Sequence, residues 1–158
     1  MIKRCTANNF NDIFEVINDG ASAYKGVIPA DRWREIYMPA AELKVQIDEG
    51  VEFWGYSQDD RILGVMGIQD KGDVTLIRHA YVRTSHRNLG IGGKLLENLL
   101  SLTDKPVLIG TWSDAHWAIT FYQKYNFRVV SDEEKNSLLN KYWRIPKRQV
   151  EASVVLAR

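Results

Sequence analysis

The sequence of 158 residues has a single cysteine and no long apolar run. Because Cys5 has no partner, no disulfide can form within the chain, and we expect a protein of the cytoplasm. No segment approaches the ~20 apolar residues that are needed to cross a bilayer. Residues 1–6 also lack the apolar core of a signal peptide, so the sequence predicts no membrane partner.

An excess of charge of either sign is also missing. The 21 lysines and arginines nearly balance the 20 aspartates and glutamates, which leaves a formal net charge of +1. A partner held by bulk electrostatics, such as nucleic acid, is therefore not expected. The hydrophobic share of 45% is ordinary for a folded chain, and the length suits a single domain spanning residues 1–158.

Apolar periodicity and turn residues predict a mixed order of strands and helices. The predicted strands are 2–6, 51–58, 62–69, 74–82, 106–111, 127–130 and 150–157. The predicted helices are 9–22, 30–36, 39–49, 91–103, 114–125 and 132–142. This order predicts an α/β fold of the α+β type, with a mixed, mostly antiparallel sheet of about seven strands flanked by helices.

A glycine-rich turn lies between the predicted strand 74–82 and the helix that follows it. It comprises Arg87, Asn88, Leu89, Gly90, Ile91, Gly92 and Gly93. Glycine lets the backbone adopt a positive φ and lets a ligand approach closely. The unpaired N–H groups of the helix's first turn would then point at an anion, which the helix dipole also favours. The turn therefore predicts a phosphate-binding site.

Two known patterns of nucleotide-binding loops do not match the residues of this turn. The dinucleotide pattern G-x-G-x-x-G needs a third glycine where Leu95 stands. The nucleotide triphosphate loop G-x-x-x-x-G-K-[ST] needs glycine at Asn88 and serine or threonine at Leu95. A purely steric role for the glycines, at a tight strand-to-helix turn, stays open at this point.

Two segments together resemble the GNAT superfamily of acyl-CoA-dependent N-acyltransferases. Arg87-x-x-Gly90-x-Gly92 resembles the family signature [RQ]-x-x-G-x-[GA], and the run from Ala118 to Phe127 resembles the second signature A-x-x-F-Y-x-K-x-G-F. The resemblance implies the GNAT fold, acetyl-CoA as co-substrate and no metal. It places the coenzyme A contacts on Ala80, Tyr81 and Val82 of the strand and on all seven residues of the loop 87–93.

The resemblance also gives Tyr122 the role of general acid, which protonates the departing thiolate. The alternative is that Phe121 and Tyr122 form only a buried aromatic pair. The general base is open between His79 and a chain of water. Strict alternation along strand 74–82 would put Arg78 and Val82 on the acceptor face and His79 on the other, and a bulge would reverse this placement.

Arginine inside an apolar strand needs a partner or access to solvent. Arg78 could therefore orient a carboxylate of the acceptor, or it could form a salt bridge with an acidic neighbour such as Glu52. Trp33, Trp54 and Trp112 lie on segments that flank the acceptor groove of the family fold, and they are predicted to line it. A role in the core is the alternative for these aromatic residues.

The leading prediction is an N-acetyltransferase that acts on a primary amine of a small molecule or a peptide. A non-catalytic acyl-CoA-binding sensor is the alternative. The segment 143–146 before the last strand could cover the groove or form a homodimer contact. The sequence predicts the donor half of the reaction and does not specify the acceptor.

Overall fold

The chain, described for residues 1–158 by a computed structural model, forms seven strands and six α-helices. The strands are β1 (Ile2–Arg4), β2 (Glu52–Gln58), β3 (Arg61–Asp70), β4 (Thr75–Val82), β5 (Val107–Trp112), β6 (Arg128–Val129) and β7 (Ser153–Ala157). The helices are α1 (Phe10–Ala21), α2 (Ala40–Asp48), α3 (Ile91–Leu100), α4 (His116–Gln123), α5 (Asp132–Tyr142) and α6 (Lys147–Glu151). None of the helices combines the length and apolar content that crossing a bilayer requires.

All seven strands join one sheet in the order β1-β2-β3-β4-β5-β7-β6. Strands β1 to β4 pair antiparallel in sequence order, and β7 pairs antiparallel with both β5 and β6. Only β4 and β5 run parallel, because α3 connects them across one face of the sheet. The predicted mixed, mostly antiparallel sheet of seven strands flanked by helices is confirmed.

Helices cover both faces of this sheet. The α3 face carries α3 and α4, whose Leu95, Leu96 and Tyr122 pack against Met66 and Ile109 of the strands. The opposite face, here called the α1 face, carries α1 and α2 over the first half of the sheet, around Ile17, Leu43 and Val65. Helix α5 covers the second half of the α1 face, where Leu139 packs with Leu76 and Val155. The two groups of helices on the α1 face flank the middle strands, where the cleft described below opens.

Two local predictions differ from the structure. The helix expected over 30–36 is only a single 3-10 turn, Ala30–Arg32, which ends because Trp33 adopts an extended backbone. The last strand begins at Ser153 and not at Val150, because the short helix α6 occupies the preceding residues. Pro146 caps α6, and its fixed φ and missing N–H suit a helix start.

Candidate functional site

The parallel strands β4 and β5 separate partway along their length. They pair from Thr75–Val107 to Ile77–Ile109, and the pairing ends there although both strands continue. The opening leads into a cleft of about 1370 Å³, to which both strands contribute lining residues. From Arg78 onward the edge of β4 that faces this opening is free to bind an extended ligand through its backbone groups.

A β-bulge in β4 lies at the start of this opening. Gly67 of β3 pairs with Arg78 and Val65 pairs with Tyr81, so Met66 alone faces the two residues His79 and Ala80. His79 has a φ of 56°, a left-handed backbone that is uncommon for residues other than glycine. The extra residue shifts the alternation of every side chain after it.

The bulge corrects the predicted faces of β4. His79 stacks on Phe53 and Tyr81 packs in the same apolar cluster, so both lie with Arg78 on the α1 face. Ala80 and Val82 pack on the α3 face instead. The expectation that Arg78 and Val82 share a face from which His79 points away is therefore wrong, because strict alternation does not hold across the bulge.

The glycine-rich loop forms the N-terminal end of α3, beside the cleft. Gly90 is the N-cap with a φ of 82°, and Asn88 also has a positive φ of 61°. None of the backbone N–H groups of residues 88–93 donates a hydrogen bond within the protein. Six free donors at a helix N-terminus are a favourable arrangement for binding an anion.

The neighbours of the loop differ in their access to the cleft. The Arg87 guanidinium lies at the cleft and donates from Nη2 to the carbonyl oxygen of Gly20 at 3.0 Å, which ties the loop to the end of α1. Gly90, Ile91, Gly92 and Gly93 also line the cleft. The Leu89 side chain is 63% exposed and does not line it, so Leu89 could contribute only its backbone.

Tyr122 lies on α4 with its ring buried on the α3 face. The ring packs edge-on against Phe121 and Phe127, with centroid distances of 5.1 and 5.9 Å. The hydroxyl group makes no hydrogen bond within the protein, and the residue lines the cleft. Burial raises the pKa of Tyr122, so the phenol keeps its proton at neutral pH. Tyr122 thus combines packing with a hydroxyl that is available to a ligand.

An aromatic wall lines the α1 side of the cleft. Trp112 donates from Nε1 to the hydroxyl oxygen of Tyr37 at 2.7 Å. Tyr24 packs between Tyr37 and Trp117, at centroid distances of 5.4 and 6.0 Å. Tyr81 completes the wall 6.1 Å from Tyr24. The prediction missed Tyr24, which lies in a 3-10 turn without periodicity to indicate which side it faces.

The other two predicted tryptophans lie outside the cleft. Trp54 is on β2, packs against the α3-face core and donates from Nε1 to Glu52 at 3.0 Å. Trp33 stacks on Tyr37 with a centroid distance of 6.0 Å and does not itself reach the cleft. Of the three predicted tryptophans, the structure brings only Trp112 to the cleft surface.

Arg78 enters the cleft without an acidic partner. Its Nη1 donates to Oε1 of Gln69 at 3.2 Å, and no carboxylate lies within ion-pair distance. The expected partner Glu52 instead pairs with Arg4 at 3.2 Å. Burial lowers the pKa of Arg78 to about 10 against the opposing effect of the negative charge of Glu49, so the guanidinium remains charged at neutral pH.

His79 is held inside the α1 face beside Arg78. Its Nε2 lies 3.3 Å from Oε1 of Gln46 on α2. Burial, together with the positive charge of Arg78, lowers the pKa of His79 to about 3. The imidazole is therefore neutral at physiological pH, but it has little affinity for a proton.

Comparison with known proteins agrees with this geometry. Residues 19–139 match the family described as Acetyltransferase (GNAT) domain. An acetyltransferase of the GNAT family from Staphylococcus aureus Mu50 aligns with 100% of this chain and 97% of its own, at 17% identity and a TM-score of 0.73.

Two further solved structures show the same fold. The PaiA N-acetyltransferase from Thermoplasma acidophilum, solved in complex with coenzyme A, covers 100% of this chain and 97% of its own, at 13% identity and a TM-score of 0.70. The ribosomal-protein-S18-alanine N-acetyltransferase from Escherichia coli covers 99% and 91%, at 13% identity and a TM-score of 0.65. At these identities the similarity shows a shared fold and nothing beyond it.

Proposed function

The chain belongs to the family of GNAT acetyltransferase domains, and from this premise we propose that it transfers the acetyl group of acetyl-CoA to a primary amine of a small molecule or peptide. One observation carries the proposal: six unpaired backbone N–H groups at the start of α3 share a cleft with the free hydroxyl of Tyr122. The first is suited to a pyrophosphate and the second to a leaving thiolate. The coenzyme A complex of the Thermoplasma relative supports the same donor.

The two halves of the coenzyme fit separate parts of the cleft. The N–H groups of residues 88–93 would hold the pyrophosphate, with Arg87 beside them. The opening between β4 and β5 would admit the pantetheine arm, whose amides can pair with the free edge of Ala80, Tyr81 and Val82. This arrangement leads from the loop toward the centre of the sheet, where Tyr122 and the aromatic wall line the cleft.

The reaction requires little chemistry from the protein's own side chains. The bound thioester supplies an activated acyl carbon, and the amine attacks it when both are held in place. Tyr122 would donate a hydrogen bond and then its proton to the departing sulfur, since no protein group competes for the hydroxyl. Burial raises the pKa of the phenol and so makes it a weaker acid, which means that the transfer depends on close positioning of the sulfur.

The amine must lose a proton before or during the attack. His79 is the predicted candidate for the general base, but a pKa of about 3 makes it a weak base. We therefore favour water in the cleft as the immediate proton acceptor. For the compartment we propose the cytoplasm, because the single, unpaired Cys5 suits a reducing environment.

A two-stage experiment tests this function. Thermal-shift titration with acetyl-CoA, coenzyme A and NAD should raise the melting temperature for both coenzyme A species and leave it unchanged for NAD. Release of free thiol is then followed with a panel of amines. Coenzyme A binding without any thiol release would favour the acyl-CoA sensor, and a shift with NAD alone would contradict the donor site.

A further inference from the structure

Positive charge collects in the cleft on segments outside the glycine-rich loop. Three separate segments contribute a side chain or backbone there: the turn 30–34, strand β4 and the segment 143–146. The arginines involved are Arg32, Arg34, Arg78 and Arg144. The carboxylates at the cleft surface are Asp31 and Glu42. The whole chain has a net charge of only +1, so this local excess of cations is a property of the cleft.

Two of these arginines have carboxylate partners and two do not. Arg34 pairs with Glu42 at 2.8 Å, and Arg144 pairs with Glu49 at 3.1 Å. Asp31 is taken by Arg148, with an Nε–Oδ2 distance of 3.1 Å. Arg78 and Arg32 are left without an ion pair, and Nε of Arg32 is buried with no hydrogen-bond partner at all.

Leaving a cation half-buried and unpaired costs stability that a structural role would not require. Arg78 uses a single N–H on the neutral amide of Gln69, so most of its planar fork of donors remains free. A carboxylate is the anion that this fork binds through two parallel hydrogen bonds. The unpaired guanidinium therefore indicates that the ligand carries a carboxylate.

Building on the proposed acetyl transfer, we propose that the acceptor is an amine that also carries a carboxylate, an amino-acid-type substrate whose carboxylate binds Arg78, with Arg32 adding positive charge. The aromatic wall of Tyr24, Tyr37, Tyr81 and Trp112 would enclose the carbon skeleton between the two polar ends. Polyamines and other polycations are disfavoured, since they would meet unpaired arginines.

The test compares α- and ω-amino acids with their own carboxamides, which differ only in the charged group. Rates of thiol release are divided by the fraction of neutral amine that each compound holds at the assay pH. We expect kcat/KM for the best amino acid to exceed that of its amide at least tenfold. With saturating coenzyme A, that amino acid should also raise the melting temperature while its amide does not.

Substitutions of Arg78 test whether this residue causes the preference for the amino acid over its amide. Arg78→Gln should raise the acceptor KM and abolish the discrimination between acid and amide, and Arg78→Lys should restore part of it. The KM for acetyl-CoA and the melting shift with coenzyme A should stay unchanged, which also reports that the variants fold. Arg61→Gln, an exposed arginine of the β2–β3 hairpin, should behave as the wild type.

Each other outcome counts against the proposal. The proposal would be overturned if the best acceptor were neutral or polycationic, or if the discrimination between acid and amide survived in Arg78→Gln. It would also be overturned if neither turnover nor the melting shift depended on the carboxylate. Better turnover of aminoalkylphosphonates than of the matched amino acids would overturn the assignment to a carboxylate. Loss of the coenzyme A shift in the wild-type protein would instead refute the proposed function itself.

Discussion

Gly67 of β3 lies directly against the backbone of Arg78 in β4. A Cβ atom at position 67 would stand 2.9 Å from the Arg78 carbonyl oxygen and 2.8 Å from Cγ1 of Val51. The close approach occurs at the residue before the bulge that carries His79. The missing side chain at Gly67 in β3 thus permits the bulge in β4, and this bulge shapes the cleft.

Gly67→Ala should therefore destabilise the protein by about 1–3 kcal/mol, since the methyl group must displace backbone rather than a flexible side chain. Chemical denaturation measures the effect. Gly110→Ala is the matched control, because a Cβ there would meet Trp143 at 3.4 Å, an ordinary contact distance. Equal stability of the two variants would show that Gly67 does not hold the bulge.

Tyr122→Phe should lower kcat by about 10²-fold and leave both the melting temperature and the coenzyme A shift nearly unchanged. The hydroxyl has no partner in the protein, so its removal costs the fold little. Tyr142→Phe offers the reverse comparison, because Tyr142 lies outside the cleft and donates to Asp73 at 2.6 Å. It should lower the melting temperature and spare kcat. An unchanged kcat in Tyr122→Phe would exclude its role as general acid.

The loop prediction rests on the left-handed backbone of Gly90. Valine at a φ of 82° is strained, whereas asparagine tolerates this region. Gly90→Val should thus weaken coenzyme A binding at least tenfold, and Gly90→Asn should weaken it less. Titration calorimetry with coenzyme A gives both affinities. The loop geometry would be irrelevant to binding if the two substitutions had equal effects.

The decrease in the free energy of unfolding at acid pH should show that His79 is neutral in the folded protein. Its pKa is about 3 in the folded protein against 6.5 for a free imidazole, so the unfolded chain binds one more proton between these values. Stability from this group is complete above pH 6.5 and is lost as the pH falls toward 3, at up to about 1.4 kcal/mol per pH unit.

Urea denaturation at several pH values, on wild type and on His79→Gln, measures this slope. The substitution should flatten the dependence between pH 4 and 6.5, whereas His116→Gln, at an exposed position on α4, should retain it. An equal slope in wild type and His79→Gln would show that His79 is not held neutral by the fold.

Much of the site could be predicted because its residues are close in sequence. The loop 87–93 reads as a glycine-rich turn before a helix, and Tyr122 lies within a continuous motif on one helix. Asn126 has a φ of 69°, as expected of an asparagine that replaces glycine after a helix. Local chemistry sufficed for these positions.

The remainder depends on long-range packing that a single sequence does not express. The bulge at His79 follows from the contact of Gly67 with another strand, so alternation alone misplaced Arg78 and Val82 relative to each other. Trp54 is predicted to line the groove, but its position on β2 faces α3. The predicted partner of Arg78, Glu52, pairs with Arg4 of the neighbouring strand instead, and a single sequence does not show this pairing.

Titration calorimetry on the wild-type protein with coenzyme A and with pantetheine, which lacks the pyrophosphate and the nucleotide, tests the pyrophosphate site directly. If the free N–H groups of residues 88–93 hold the pyrophosphate, coenzyme A should bind at least 100-fold more tightly, and Gly90→Val should remove most of the difference. Equal affinities for the two compounds, or a difference that Gly90→Val leaves intact, would contradict the assignment of this loop.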